Sequence, residues 1–535
     1  MRTINYFQIT KKCNNFWKVS FLVFFICKIS FAVNAQENAE FKEFFSYVYN
    51  GMYFEYLGHD DASVYFFRAI KHNKEIQIKT NDIKTAALKS EITIKLSAQY
   101  SKSKILEYRF ENGSIYILSM FFNQKHEKNY LFRESFDIKS GMSNSDLKMV
   151  GEMKEMKKNY TWSIHVSENK EFYALVVYNF KGYEHLNSYL FVFDSHFKLV
   201  YQHDQLMGNL LGFTSFKDII VDNNGKVYFM IENYTNKKEA FQKQDIKIQV
   251  ELLLSVPVSV SKQQYTYVLM TADKENAPEH HLIAPPEGEF VKYATIFNHG
   301  NTCFLTGVFS HSGNLNNSGL FNYKLSDNIP KYIAVENLYE FSEEFQRQYL
   351  DGQDMKLYDK AMESKNRGLW DYHETANRGM VPFHDGYLLF LEQTLYFSYS
   401  TSSGRSASTY YVGYNDYVYC MYVQPDGTLN NMFKIPKKQS SLGYPVMASS
   451  YKVLDGKLYF LFGNENYQKT KMDKMVLYIY DQDFKRETIE LPLTGNMKFG
   501  LTTSNIWLSD NIVIGNGFGS MTKIHEVMIK LKPIQ

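Results

Sequence analysis

The chain has 535 residues, with 59 Lys and Arg against 57 Asp and Glu, 42 Phe, 42 Tyr and 11 Pro. So balanced a charge offers little to nucleic acid, which demands clustered cations. The length accommodates one very large domain or two to three ordinary ones, and the aromatic richness favours strands.

The N-terminus places Lys11, Lys12 and Lys18 before the apolar stretch "VSFLVFFIC" (19–27), with small residues in "VNA" (33–35) ahead of Gln36. This is the layout of a secretory signal peptide over residues 1–35, and its apolar stretch is short for a membrane span. Ile26 before Cys27 does not suit a lipoprotein site. Cleavage leaves 54 basic and 57 acidic residues, a net charge of −3, and two cysteines, Cys303 and Cys420. Two cysteines make neither a disulfide scaffold nor a Cys-rich zinc site. They could pair in an oxidising compartment, but buried thiols acting as small hydrophobes are the simpler expectation.

Residues 36–85 read as a helical hairpin. Phe41, Phe44, Phe45 and Val48 recur at helical spacing, Gly58 with His59-Asp60-Asp61 makes a break, and Ala62, Phe66 and Ala69 share a face. Through Leu57-Gly58, Ala62, Phe66, Ala69 and Asn73 the second half resembles a single tetratricopeptide unit. Such a hairpin cannot bury itself, so it packs on a neighbour or docks a partner.

From residue 86 onwards one pattern repeats: strand, tight Asn/Asp/Gly turn, strand of alternating apolar residues. Its turns fall at Asn112-Gly113, near Asn169, at Gly225, Gly300, Gly386, Gly456, and at Asp510-Asn511. Asn-Gly and Asp-Gly supply the positive φ angles of two-residue hairpins. A second pair of strand-like runs follows most of the turns, as in "SYLFVFDSHFKLVYQ" (188–202) and "MVLYIYDQDFKRETIEL" (475–491). Four short strands per unit predict an all-β β-propeller of seven four-stranded antiparallel blades, with six or eight as alternatives and stacked β-sandwiches as the competitor. Blade stacking covers sheet faces that a lone sheet leaves open. The seventh unit is short, and "SEITIKLSAQ" (90–99) is the expected strand that completes it.

Between the fourth and fifth units, residues 337–379 read as a helical insertion starting at Ser342 and stopping at Gly368. Long insertions sit on loops at one face, where function concentrates. Within it, "NRGLWDYHETANRG" carries the binding candidates Arg367, Trp370, Tyr372, His373 and Arg378, since aromatic and Arg side chains anchor recognition; packing of Trp370 onto the propeller is the structural alternative.

Most catalytic signatures are absent: there is no G-x-S-x-G, Walker A or G-x-G-x-x-G. "HETAN" begins like a zinc-protease helix but has Asn377 where the second His belongs. Glu279, His280 and His281 sit in an expected loop, and adjacent histidines point apart. "QPDGTLN" lacks the Ser and Trp of a sialidase box. Lys434, Lys437 and Lys438 suggest a guarded blade edge. No catalytic residue, metal or cofactor is assigned.

The signal peptide, "HDGYLLFLEQ", "YNDYVYCMYVQPDGTLNNMFKIPKKQSS" and "KVLDGKLYFLFGNENY" together resemble a group of uncharacterised secreted bacterial β-propeller-like proteins over roughly 100–535. The resemblance implies fold and export and no particular activity. The expectation is an exported, periplasmic or extracellular, monomeric recognition module for a protein, peptide or glycan, without nucleic acid or a membrane span. A glycan-active enzyme with its site at the propeller channel, or a structural part of an envelope complex docked through 39–75, are the alternatives.

Overall fold

A computed structural model describes residues 39–531 except 49–53, 71–74, 97–102, 124–127, 154–159, 182–183, 205, 207–212, 235–242, 251–253, 262–264, 312–316, 351–354, 357, 360–373, 404–405, 443–448, 464–473, 493–505 and 521–522. The chain is all-β and of β-propeller type. Eight blade sheets follow one another: blade I (55–95), II (103–153), III (160–204), IV (213–284), V (289–340), VI (374–442), VII (449–492) and VIII (506–531). In each, the blade strands pair antiparallel in chain order, blade IV across an inserted hairpin, and blade IV adds a parallel fifth strand, Tyr332–Ala334. Blade VIII takes its outermost strand, Ala39–Val48, from the start of the chain, paired antiparallel with Lys523–Leu531.

Two compact units result: one holds blades I to VI, the other blades VII and VIII with the N-terminal strand. The cores lie between blades within each unit. Val176, Leu190 and Val192 of blade III pack on Val227, Phe229 and Val268 of blade IV. Phe304, Val308 and Leu320 of blade V meet Leu389, Leu391 and Met421 of blade VI, while Leu461 and Leu477 of blade VII meet Val513 and Ile529 of blade VIII. Both faces of an inner strand are therefore covered, so "SVYFFRAI" or "FYALVV" reads as a continuous apolar run.

All seven expected turns connect the first and second strands of a blade. Asn112-Gly113 (φ 49° and 75°) and Asp455-Gly456 (φ 50° and 69°) are two-residue turns with both central residues left-handed. At "FHDGY" the turn lies one residue earlier than expected, on His384 (φ 50°) and Asp385, because Phe383 pairs with Gly386. The turn from third to fourth strand repeats too. In "DSHFK" and "DQDFK", Asp194 and Asp481 accept the backbone N–H groups two and four residues on, and Phe197 and Phe484 are left-handed.

Three expectations are corrected. The blades number eight, not seven. Where described, the expected helical hairpin of 36–85 is strand and turn, not helix: Ala39–Val48 belongs to blade VIII, and Glu55–His59, Ser63–Ile70 and Glu75–Asp82 belong to blade I. A β-bulge between Glu43 and Phe45 breaks the period of two, which gives the phenylalanines their helix-like spacing. "SEITIKLSAQ" closes blade I, as Leu88–Lys95 paired with Glu75–Asp82, rather than blade VIII. The docking hairpin of the envelope-complex alternative is lost with these assignments. In the insertion, Ser342 caps a helix as expected, its Oγ accepting from Phe345 N at 3.1 Å; that helix spans only Glu343–Arg347, and residues 355–356 and 358–359 are helical as well. Cys303 and Cys420 are free, buried thiols.

The signal-peptide segment 1–35 lies outside the described residues. No helix among the described residues is long and apolar enough to cross a membrane.

Candidate functional site

Of the expected binding residues, Arg367, Trp370, Tyr372 and His373 lie outside the described residues, so only Arg378 is placed. It stands on the first strand of blade VI, Glu374–Phe383, at a bulge: Asn377 pairs with Leu391 and Gly379 with Phe390, leaving Arg378 as the extra residue. Bulges re-aim side chains, and this one sends the guanidinium to the carboxylate of Glu392 on the neighbouring strand. The Glu392 side chain is fully buried and also takes Lys437 Nζ at 2.5 Å, itself fully buried. Lys437 is thus half of a buried ion pair, not part of a guarded edge. Lys434 is buried as well, its ammonium 3.1 Å from Gln346 O and 4.9 Å from the rings of Phe345 and Tyr417.

The same bulge recurs on the two preceding blades. Blade IV's first strand, Phe213–Val221, skips Lys217 between Phe216 and Asp218, and blade V's, Glu289–His299, skips Lys292 between Val291 and Tyr293. Blades I and II bulge at the buried Leu57 and Leu106 instead. Three consecutive first strands therefore carry a cation at a bulge position that leucine fills in blades I and II. Lys217 Nζ lies 2.9 Å from Glu232, whose side chain is 5% exposed, repeating the Arg378–Glu392 arrangement. Lys292 Nζ donates to Asn317 Oδ1 at 2.6 Å, and the amide nitrogen of the buried Asn317 has no partner.

Hydrogen bonds tie these strands together. Thr295 donates to Asp218. The Asn377 amide nitrogen reaches Asp218 Oδ2 at 3.2 Å, Thr295 Oγ1 at 2.9 Å and Ile296 O at 2.9 Å, and its backbone N–H donates to the Tyr293 hydroxyl at 2.9 Å. Asn377, where a zinc-protease helix would have its second His, is thus a structural bridge. Burial, then the neighbouring Asp218 charge, pushes the Tyr293 hydroxyl up, so it stays a neutral phenol while accepting from Asn377. Blade II places Glu107 at the position of Asp218, directly after its bulge. Burial, together with the nearby Glu55 charge, raises the Glu107 carboxyl above the ordinary carboxylate range. On the first strand of blade III, His165 is lowered by burial despite the opposing pull of Asp218.

The blade edge nearest the starts of these first strands also bears the extensions. Alternating strand direction puts second-to-third connections and blade-to-blade connections on one edge, opposite the first-to-second turns. Blade IV inserts the two-stranded hairpin Lys243–Val250 and Leu254–Ser261 there. Blade VI prolongs its second and third strands to a tip pairing of Ser403 with Ser406, beyond the last contact with its first strand at Thr394. The chain also leaves blade V for blade VI from this edge, after Glu340.

His280 and His281 lie on the strand Glu279–Ala284, not in a loop. His281 is buried, with Nδ1 3.0 Å from Pro330 O, and His280 faces the other way. Among the described residues no group of three or more His, Cys, Asp or Glu is placed to hold a metal ion.

No family model matches this chain, and no curated protein does. Among solved structures it is similar to the β-propeller domain of the Trilobed protease from Pyrococcus furiosus, at 11% identity and a TM-score of 0.31, covering 91% of this chain and 94% of that one. The WD40 domain of SCAP from fission yeast is 9% identical with a TM-score of 0.35, covering 92% and 98% respectively. The polysaccharide lyase Uly1 is 10% identical with a TM-score of 0.33, covering 82% and 92%. Likenesses this distant add nothing to the fold assignment, which rests on strand order and register.

Proposed function

We propose that the protein is an exported β-propeller recognition module that binds a protein, peptide or glycan at the extension-bearing edge of blades IV to VI. Anionic groups of the ligand meet Lys217, Lys292 and Arg378 there. The carrying observation is the cation at the same bulge of three consecutive first strands, with Asn317 beside Lys292 holding an unused amide donor. The charged n-region, short apolar stretch and small-residue cleavage site of 1–35 support export. Peptide and glycan arrays test the reading, probed with the intact chain, Lys217→Glu/Lys292→Glu, and a chain whose 396–413 tip is replaced by a two-residue turn. Anionic spots lost in the variants support it; the same spots for all three chains overturn it.

Glu107 favours a second reading, a glycan-active enzyme. A carboxyl whose pKa burial raises on one first strand, and a second carboxyl, Asp218, at the matching position two blades on, are the pair of acidic groups on which glycoside cleavage draws. Polysaccharides incubated with the intact chain, Glu107→Gln and Asp218→Asn separate the two readings. Product from the intact chain alone establishes catalysis.

A further inference from the structure

A second site lies away from that edge, in the groove between the outer strands of blades II and III. A cavity of about 430 Å3 opens there, lined by Arg133, Lys148, Met149 and Gly151 of blade II with Lys198 and Leu199 of blade III. Arg133 Nη1 donates to His196 O at 2.9 Å, which fixes the guanidinium against blade III. The Lys148 and Lys198 ammonium groups have no partner among the described residues. Glu152, the one carboxylate of the lining, is met by Lys128 Nζ at 2.7 Å, so the groove keeps a surplus of cations. Between these charges the apolar groups are open to water: Met149 is 58% and Leu199 38% exposed. A Cβ on Gly151 would stand 3.0 Å from the Phe191 ring, so glycine lets the floor lie close against blade III.

The strand Ser143–Met153 is the last of its sheet, and its outer edge pairs with nothing among the described residues. It bulges at Val150, since Leu131 pairs with Gly151 and Phe132 with Met149. An edge strand offers a row of N–H and C=O groups to an added strand.

We infer that this groove binds an extended acidic peptide segment, its main chain added to the free edge of 143–153, its aliphatic side chains on Met149 and Leu199, and its carboxylates on Lys148, Lys198 and Arg133. Cationic charge selects the acidic sequence, and the strand edge selects a peptide over other anions. The site uses none of the residues of the extension-bearing edge, so each stands or falls alone.

The test is fluorescence anisotropy with the full chain and a labelled octapeptide of alternating Glu and Val, beside Lys/Val and Ser/Val counterparts and a form N-methylated at alternate residues. The Glu/Val peptide should saturate at low salt. Lys148→Glu or Lys198→Glu should each weaken it about tenfold, as paired charge contacts do, and Met149→Gln by a smaller factor. N-methylation should abolish binding. Circular dichroism confirms that each variant is folded. The inference is overturned if the Lys/Val peptide binds as well, if the charge reversals are silent, or if the N-methylated peptide still binds. Capture of phosphatidylglycerol vesicles through Lys148 and Lys198 without peptide binding overturns it too.

Discussion

At the residue scale, the informative groups are the buried charges. Glu392 and Lys437 are wholly enclosed, and each offsets the cost of burying the other's charge. Lys437→Met strands a buried carboxylate with Arg378 as its remaining cation, and urea denaturation should show a loss of roughly 3–5 kcal/mol. Lys437→Met/Glu392→Gln should recover much of that loss; a single variant as stable as the parent would show that the pair is dispensable. Glu107 gives a pH-dependent counterpart. Its folded carboxyl is raised by burial, so the native state holds a proton that the unfolded chain has released, and stability drains away as pH rises past the ordinary carboxylate range. Glu107→Gln should therefore raise the melting temperature at pH 8 more than at pH 4. An equal shift at both values would contradict the assignment. None of this was legible in the sequence. Lys217, Lys292 and Arg378 sit in unlike local contexts, "SFKDI", "FVKYA" and "ANRGM", and only the ladder register shows that they occupy one place. Arg378 alone stood out, through its neighbours Trp370 and His373.

At the scale of single elements, legibility follows backbone chemistry. Hairpins announced by Asn-Gly or Asp-Gly were placed to within a residue, because few residues accept two consecutive positive φ angles. Blade I was hidden for the complementary reason. Its first turn, "HDDAS", contains no glycine; Asp60 Oδ1 instead accepts from the Ala62 and Ser63 N–H groups at 2.9 and 2.8 Å. Its second strand is buried at five successive positions, so no alternation remains to distinguish strand from helix. Glycine inside a strand tells a different story. A Cβ on Gly307 would lie 2.0 Å from the carbonyl oxygen of Tyr293 on the paired strand and 2.6 Å from the Phe321 ring. Gly307→Ala should cost at least the roughly 1–3 kcal/mol of an overpacked core, and it should disturb the Tyr293 bridge to Asn377. Thermal unfolding read beside anionic-ligand binding checks both effects.

For the whole molecule, the blade count turns on one strand. Assigning 39–48 to a helix removes the outer strand of blade VIII and leaves the alternating run 90–99 as its nearest substitute; a helical blade I then leaves seven units. Pairing of Ala39–Val48 with Lys523–Leu531 joins residues almost five hundred positions apart, and no local pattern encodes such a partner. The consequence is experimental. Truncation to residue 37 should leave the melting temperature unchanged, because every strand survives. Truncation to residue 50 leaves Lys523–Leu531 as an unpaired edge over a core that includes Val513, Ile529 and Leu531. Such an edge exposes its hydrogen-bonding row to other chains, so this variant should melt lower and form oligomers on size exclusion. A synthetic peptide spanning 37–50, added in trans, should restore both properties, since the strand contributes through pairing and not through chain connectivity. If the truncated chain stays monomeric and melts unchanged, then blade VIII stands on three strands and the N-terminal strand contributes no closure.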